Sequence, residues 1–163
     1  MIAPVYRLPI GVNCLSNNGK VYISGPCGVV YFDCVSKIYR KGNMVVFLPY
    51  LTPYCSSIFT QAVLGVVLGF SIELILKGIG YKVYKSKEKL IFTLGFSHSI
   101  SIDIPEGVSV RFNKKTLSFM SANFGLLQNF TTSIRAYRFP DSYKGAGVVY
   151  VNEIVTCKEG KKN

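Results

Sequence analysis

The chain has 163 residues, 49% of them hydrophobic, and its 19 Lys and Arg against 8 Asp and Glu give a formal net charge of +11. That apolar content is enough for a core and excludes a disordered basic tail. The charge excludes a neutral surface and points to a polyanion, either nucleic acid or an anionic membrane face.

In chain order, Val21-Tyr22-Ile23-Ser24 runs into Gly25-Pro26-Cys27-Gly28, and Val29-Val30-Tyr31-Phe32 follows. Two β runs around a Gly/Pro turn predict a hairpin. Met44-Val45-Val46-Phe47-Leu48 predicts a strand ended by Pro49. From Pro53 to Phe70 the pattern becomes helical, with Ile58, Ala62, Val66 and Phe70 on one stripe. Ile72–Leu76 and Tyr81–Tyr84 read as strands around Gly78-Ile79-Gly80. Leu90–Leu94 and Ser99–Ile104 predict a second hairpin, with Gly95-Phe96-Ser97-His98 at its turn. Val108–Phe112 alternates as a strand does, and a helix is predicted from about Ala122 to Arg138, closed by Pro140. Hairpin, strand and helix thus occur twice. The expected fold is α+β, two tandem similar modules, each a small, mainly antiparallel sheet packed against one helix. The boundary is expected near residues 72–78, which divides the chain into modules 1–74 and 75–163.

Charge is unequal between the halves. Residues 1–76 carry five Lys/Arg against Asp33 and Glu73, whereas residues 77–163 carry fourteen against six acids. The excess marks a binding surface in the second module. The five cysteines, at 14, 27, 34, 55 and 157, form no CxxC pair and are odd in number. That argues against a disulfide framework and a zinc module, and for free buried thiols in a reducing compartment. Met1–Arg7 lacks the basic flank and apolar run of a cleavable signal, and no Arg/Ser-rich transit segment follows. A protein of this kind working in an organelle is expected to be made there or to use an internal signal.

Gly42–Ile72 holds no charged residue over 31 positions, and its later part, residues 58–76, suggests a small basic membrane-associated protein as the alternative. Pro49, Pro53, Gln61, Gly65, Gly69 and Glu73 count against a span.

Catalytic chemistry is sparse. His98 is the one histidine and has no metal-ligand companions at the needed spacing. Asp103 and Glu106 flank Pro105 as turn and capping residues, and neither Gly78-Ile79-Gly80 nor Gly145-Ala146-Gly147 continues as a dinucleotide or phosphate loop. The chain is expected to be no enzyme, with no catalytic residue, cofactor or metal. The binding residues are more coherent. Arg135 and Arg138 stand at i and i+3, so both guanidiniums can share one helix face. They are followed by Phe139-Pro140-Asp141-Ser142-Tyr143-Lys144-Gly145-Ala146-Gly147, too rich in turn formers for a strand. Arg forks grip phosphate, glycines admit backbone N–H groups close to a sugar–phosphate chain, and Tyr143 can stack or pack. For each residue the plainer reading is a helix-end or ion-pair role for the arginines and a core role for Tyr143. Lys158, Lys161 and Lys162 form a basic tail suited to anchoring phosphate.

The motifs Lys77–Lys82, Leu94–His98, Ile104–Val108, Ile134–Arg138, Tyr143–Gly145 and Lys158–Lys161, in this order, resemble the family of the universal large-subunit ribosomal protein numbered six in the bacterial scheme. The likeness is densest over residues 72–163; in the first half it rests on Val21–Gly28 and the helix after it. The resemblance implies two tandem copies of a small sheet-and-helix fold and no enzymatic activity. It implies a position on large-subunit rRNA near the sarcin–ricin loop and the base of the factor-binding stalk. Neighbouring ribosomal proteins would be partners, with translational GTPases docking nearby, and no small-molecule substrate or membrane span. The rRNA contacts it implies fall on Ser97, His98, Tyr143, Lys144, Gly145, Gly147 and the tail around Lys158, beside Arg135, Arg138, Lys161 and Lys162. The chain departs from the family pattern at Ser99, where Pro is usual, at Ala146 and Val149, where basic residues are expected, and at Thr156-Cys157, where an Arg pair is expected. Such erosion, with the hydrophobic bias, resembles an organelle-encoded version, in the mitochondrial matrix as first choice and in a plastid as second.

Overall fold

The structure, a computed structural model, describes residues 5–34, 36–48, 51–113 and 115–160. The chain divides into two compact units, one running to Phe70 and including Ser121–Phe124, the other comprising Ser71–Met120 and the residues from Gly125 onward.

The first unit contains β1 (Val5–Arg7), β2 (Asn13–Asn17), β3 (Lys20–Gly25), β4 (Gly28–Asp33), β5 (Lys37–Lys41), β6 (Met44–Leu48) and α1 (Pro53–Leu68). β3 and β4 are the predicted first hairpin, and β2 adds to β3, all antiparallel. β1, β6 and β5 make a second antiparallel sheet. Alternation buries Cys14, Val21, Ile23 and Val30 on one face of the first sheet.

Helix α1 opens with Thr52, whose hydroxyl accepts a hydrogen bond from the Cys55 amide at 3.3 Å, with Pro53 in the first turn. It closes at Gly69, whose φ of +73° suits glycine. Phe59 meets the rings of Tyr6 and Phe47 edge-on at 5.1 and 5.0 Å, seating the helix on the second sheet. The buried positions are Phe59, Ala62, Gly65 and Val66, so the expected stripe holds at Ala62 and Val66 but not at its two ends. Ile58 is only half-buried, and Phe70 begins the next strand because Gly69 ends the helix one residue earlier. Residues 58–76 are therefore part helix and part strand. The 16-residue helix is roughly 24 Å long, short of a hydrocarbon core of about 30 Å. Among the described residues no helix is long and apolar enough to cross a membrane.

The second unit contains most of β7 (Phe70–Lys77), then β8 (Lys82–Ser86), β9 (Lys89–Thr93), β10 (Ile100–Asp103), β11 (Val108–Asn113), β12 (Thr116–Ser121), α2 (Phe124–Tyr137) and β13 (Gly147–Tyr150). β8, β9 and β10 form an antiparallel sheet, so the predicted second hairpin is β9 and β10. A four-stranded sheet runs in the order β11-β12-β7-β13, with Val148 opposite Leu76. α2 buries Leu127, Phe130, Thr131 and Ile134, and Phe130 packs edge-on against Phe119 of β12 at 5.5 Å. The fold is α+β, with two similar modules of antiparallel sheet and one helix. In the first unit the hairpin turn is only Pro26-Cys27, whereas in the second it is the longer Leu94–Ser99.

Three differences from expectation bear on the site. Gly147 begins β13 rather than belonging to the loop. The helix stops at Tyr137, because Pro140 lacks an N–H and disfavours helical backbone before it. Only Cys14 and Cys34 are buried; Cys27 and Cys157 are exposed, and all five thiols are free.

Candidate nucleic-acid interface

The long β9–β10 turn carries a column of three side chains. The His98 imidazole lies stacked near the Phe96 ring, with centroids 5.9 Å apart and an interplanar angle of 22°. The Arg138 guanidinium carbon is 5.0 Å from the Phe96 centroid. Ser97 and His98 are exposed in this turn, and Arg138 is exposed past the end of α2. Residues distant in sequence thus meet as cation, ring and imidazole. The aromatic linking them, Phe96, was not among the predicted site residues; its signal was an aromatic next to the Ser-His pair in a turn too long to be a bare connection.

The second cluster is the loop between α2 and β13. The Val148 amide donates to the Arg138 carbonyl at 2.9 Å, and the Asp141 amide donates to the Ala146 carbonyl at 3.0 Å. Within the loop the Gly145 amide donates to the Asp141 carbonyl at 2.9 Å, and the Lys144 amide donates to the Asp141 carboxylate at 3.0 Å. Asp141 therefore closes the turn through both backbone and side chain. Tyr143 and Lys144 are left exposed at its tip. The Lys158 amide donates to the Ser142 carbonyl at 2.7 Å, tying the tail to this tip. Tyr143, Lys144 and exposed Lys158 are thereby gathered in one neighbourhood.

Gly145 in the loop and Gly147 at the start of β13 are buried and have local reasons to be glycine. Gly145 has φ +64°. A Cβ on Gly147 would stand 2.6 Å from Pro140 Cα and N, so the chain can pass Pro140 only without a side chain.

Arg135 does not join Arg138. Its guanidinium binds the Glu153 carboxylate at 2.6 Å and lies 5.3 Å from the Phe139 centroid and 5.5 Å from that of Tyr150. Both side chains of the pair are about a quarter exposed, at 25% and 24%. Burial pushes the Glu153 carboxyl up, but the Tyr150 amide, the Arg135 hydrogen bond and charge, and the Lys77 charge outweigh it and hold the carboxyl below its ordinary value. The helix-face argument fails here because Arg138 lies beyond the last helical residue, so i and i+3 no longer share a face. Lys161 and Lys162 lie outside the described residues.

The family model described as Ribosomal protein L6 matches residues 77–151. The large ribosomal subunit protein uL6 of Teredinibacter turnerae is 34% identical over 167 residues, covering 96% of this chain and 94% of that protein. That of Thioalkalivibrio sulfidiphilus is 31% identical over 166 residues, covering 95% and 94%. The chain belongs to the uL6 family. A shorter match, to uL6 of Clostridioides difficile, reaches 41% over 106 residues, 64% of this chain and 59% of that relative.

The uL6 family is structural and not enzymatic. Among the described residues no group of three or more His, Cys, Asp and Glu gathers as a metal site needs. Two of the positions at which the resemblance leads one to expect basic residues fit their surroundings as they stand. Val149 is fully buried in β13 opposite Ile75, where an unpaired cation would be costly. Ala146 serves the loop through its carbonyl alone among the bonds described above.

Proposed function

We propose that the chain is a structural constituent of a large ribosomal subunit that binds large-subunit rRNA through the second unit. The observation that carries this reading is the gathering of the β9–β10 turn, the α2–β13 loop and the tail into adjoining exposed groups of cations and flat rings. Arg138 and His98 offer hydrogen bonds and stacking area, while Lys144 and Lys158 offer charge to phosphate. Tyr143 supplies an exposed flat face. Gly145 and Gly147 act indirectly, by letting the loop take its shape. Arg135 braces the helix end against the 150–153 turn. Lys161 and Lys162 extend the basic tail as further phosphate anchors.

The rRNA neighbourhood is that of the family resemblance, near the sarcin–ricin loop and the stalk base, with other large-subunit proteins packed beside it and translational GTPases docking close by. The compartment we propose is a mitochondrial ribosome, on the absence of Trp and the heavy use of Phe, Tyr and Cys, a bias expected of an AT-rich organelle gene.

If about five Lys/Arg touch phosphate, the log–log dependence of affinity on salt should have a slope of roughly −4 to −5. Titration of the full chain with a large-subunit rRNA fragment measures it. The variants Lys144→Ala and Lys158→Ala should each flatten that slope by about one. A nearly flat slope in the unaltered chain would contradict the reading.

A further inference from the structure

The first unit presents a second surface that the second unit's RNA contacts do not use. The sheet β2-β3-β4 has one face buried, with Val21 and Ile23 fully covered. Its other face is open. The strand register sets Leu15, Tyr22 and Tyr31 side by side across all three strands. They are 67%, 37% and 61% exposed. The two tyrosine rings lie 5.9 Å apart, and the Lys20 ammonium stands 5.5 Å from the Tyr31 ring.

The rows on either side of this centre are mainly polar. One holds Asn13 and Ser24 and ends in exposed Val29, and Asn13 accepts a hydrogen bond from the Arg40 guanidinium at 3.1 Å. The other holds Asn17, Lys20 and Asp33. Up to Phe70 the chain carries five Lys/Arg and a single acid, Asp33. A face for an apolar protein partner needs no such rim of amides and cations. Two neighbouring aromatic rings, donors and acceptors within reach, and surplus positive charge are what an unpaired nucleobase and its phosphate require.

We propose that this face is a second RNA-binding site, taking single-stranded RNA with one or two bases stacked on Tyr22 and Tyr31. Lys20 and Arg40 face the adjoining phosphates, and the asparagine amides meet base edges. The site discriminates unpaired from duplex RNA, since bases inside a helix offer no free face. It is independent of the loop and tail contacts of the second unit.

The chain contains no tryptophan, so Tyr31→Trp in the full-length protein installs a single local reporter. A single-stranded RNA decamer should quench its fluorescence saturably, while a blunt RNA duplex of the same sequence should not. Tyr22→Leu in the same background keeps apolar area but removes a ring, and should weaken the quenching isotherm by roughly fivefold or more. Both substitutions lie on an open face, and an unchanged thermal midpoint keeps the variants comparable. Three outcomes overturn the proposal. Binding seen by anisotropy with no change in tryptophan emission would put single strands elsewhere on the chain. Equal affinity after Tyr22→Leu would remove stacking, and no binding at all would leave the face to a protein neighbour.

Discussion

At the scale of single residues, the site depends on side chains that are absent as much as on those present. Gly147→Ala would set a methyl group against Pro140 backbone, which cannot yield as a flexible side chain can. The substitution should destabilise the protein by about 1–3 kcal/mol, read as a lower thermal midpoint, and should loosen the loop that holds Tyr143 and Lys144. The glycines were legible in the sequence, but their reason was not. Gly147 read as a point of close approach to RNA, and the close approach in the structure is to Pro140. Arg135 shows the same limit. Its spacing to Arg138 was visible, whereas the carboxylate that claims it lies eighteen positions away at Glu153 and carries no local signal.

That ion pair gives a pH dependence with a definite sign. Glu153 is held below its ordinary value in the folded chain, so its contribution to stability is present above the unfolded carboxyl value of about 4.3 and is lost as pH falls through the lower folded value. Glu153→Gln should therefore lower stability at pH 7, and the difference from the unaltered chain should shrink below about pH 4. Denaturant midpoints measured from pH 7 to pH 3 check this; a constant gap would contradict it. Cys14 gives a second chemical test. Burial lifts its thiol to about 11 against the lowering pull of Arg40, so it should resist alkylation at pH 8 while exposed Cys27 and Cys157 react. Peptide mass mapping after brief iodoacetamide treatment reads the order.

At the scale of elements, legibility followed periodicity. Both hairpins and both helices stood out, because alternation, turn formers and helical spacing are local properties. β12 was missed although Thr116-Leu117-Ser118-Phe119 alternates, with Leu117 and Phe119 fully buried. β13 was missed because it is short, buried on nearly every residue, and starts with a glycine that reads as loop. β13 takes its place in the four-stranded sheet only by pairing with distant β7, which no local pattern encodes, whereas β12 neighbours β11 next to it in sequence as well as distant β7. Helix α1 shows what local chemistry does settle. It has no charged residue, and its start is set by Thr52 and Pro53 and its end by Gly69. Thr52→Ala should cost about 1 kcal/mol through the lost cap, and Thr52→Ser should restore most of it; equilibrium unfolding of the two variants decides.

At the scale of the whole molecule, a duplicated plan carries unequal surfaces. Each unit has a three-stranded antiparallel sheet and one helix, but only the second extends its hairpin turn into Leu94–Ser99 and adds a loop tied to a basic tail. The unequal charge of the two halves was readable from composition. What the sequence could not convey was which cations meet: Arg138 with the β9–β10 turn, and Lys158 with the Ser142 carbonyl. The rRNA contact proposed for the second unit rests on those meetings.

The most direct test of that assignment is sedimentation of the native protein in a detergent-cleared lysate, on sucrose gradients run with magnesium and again with EDTA. The protein should follow intact ribosomes in the first and the freed large subunit in the second. If it stays at the top of both gradients, it is not a constituent of a large ribosomal subunit, whatever its ancestry.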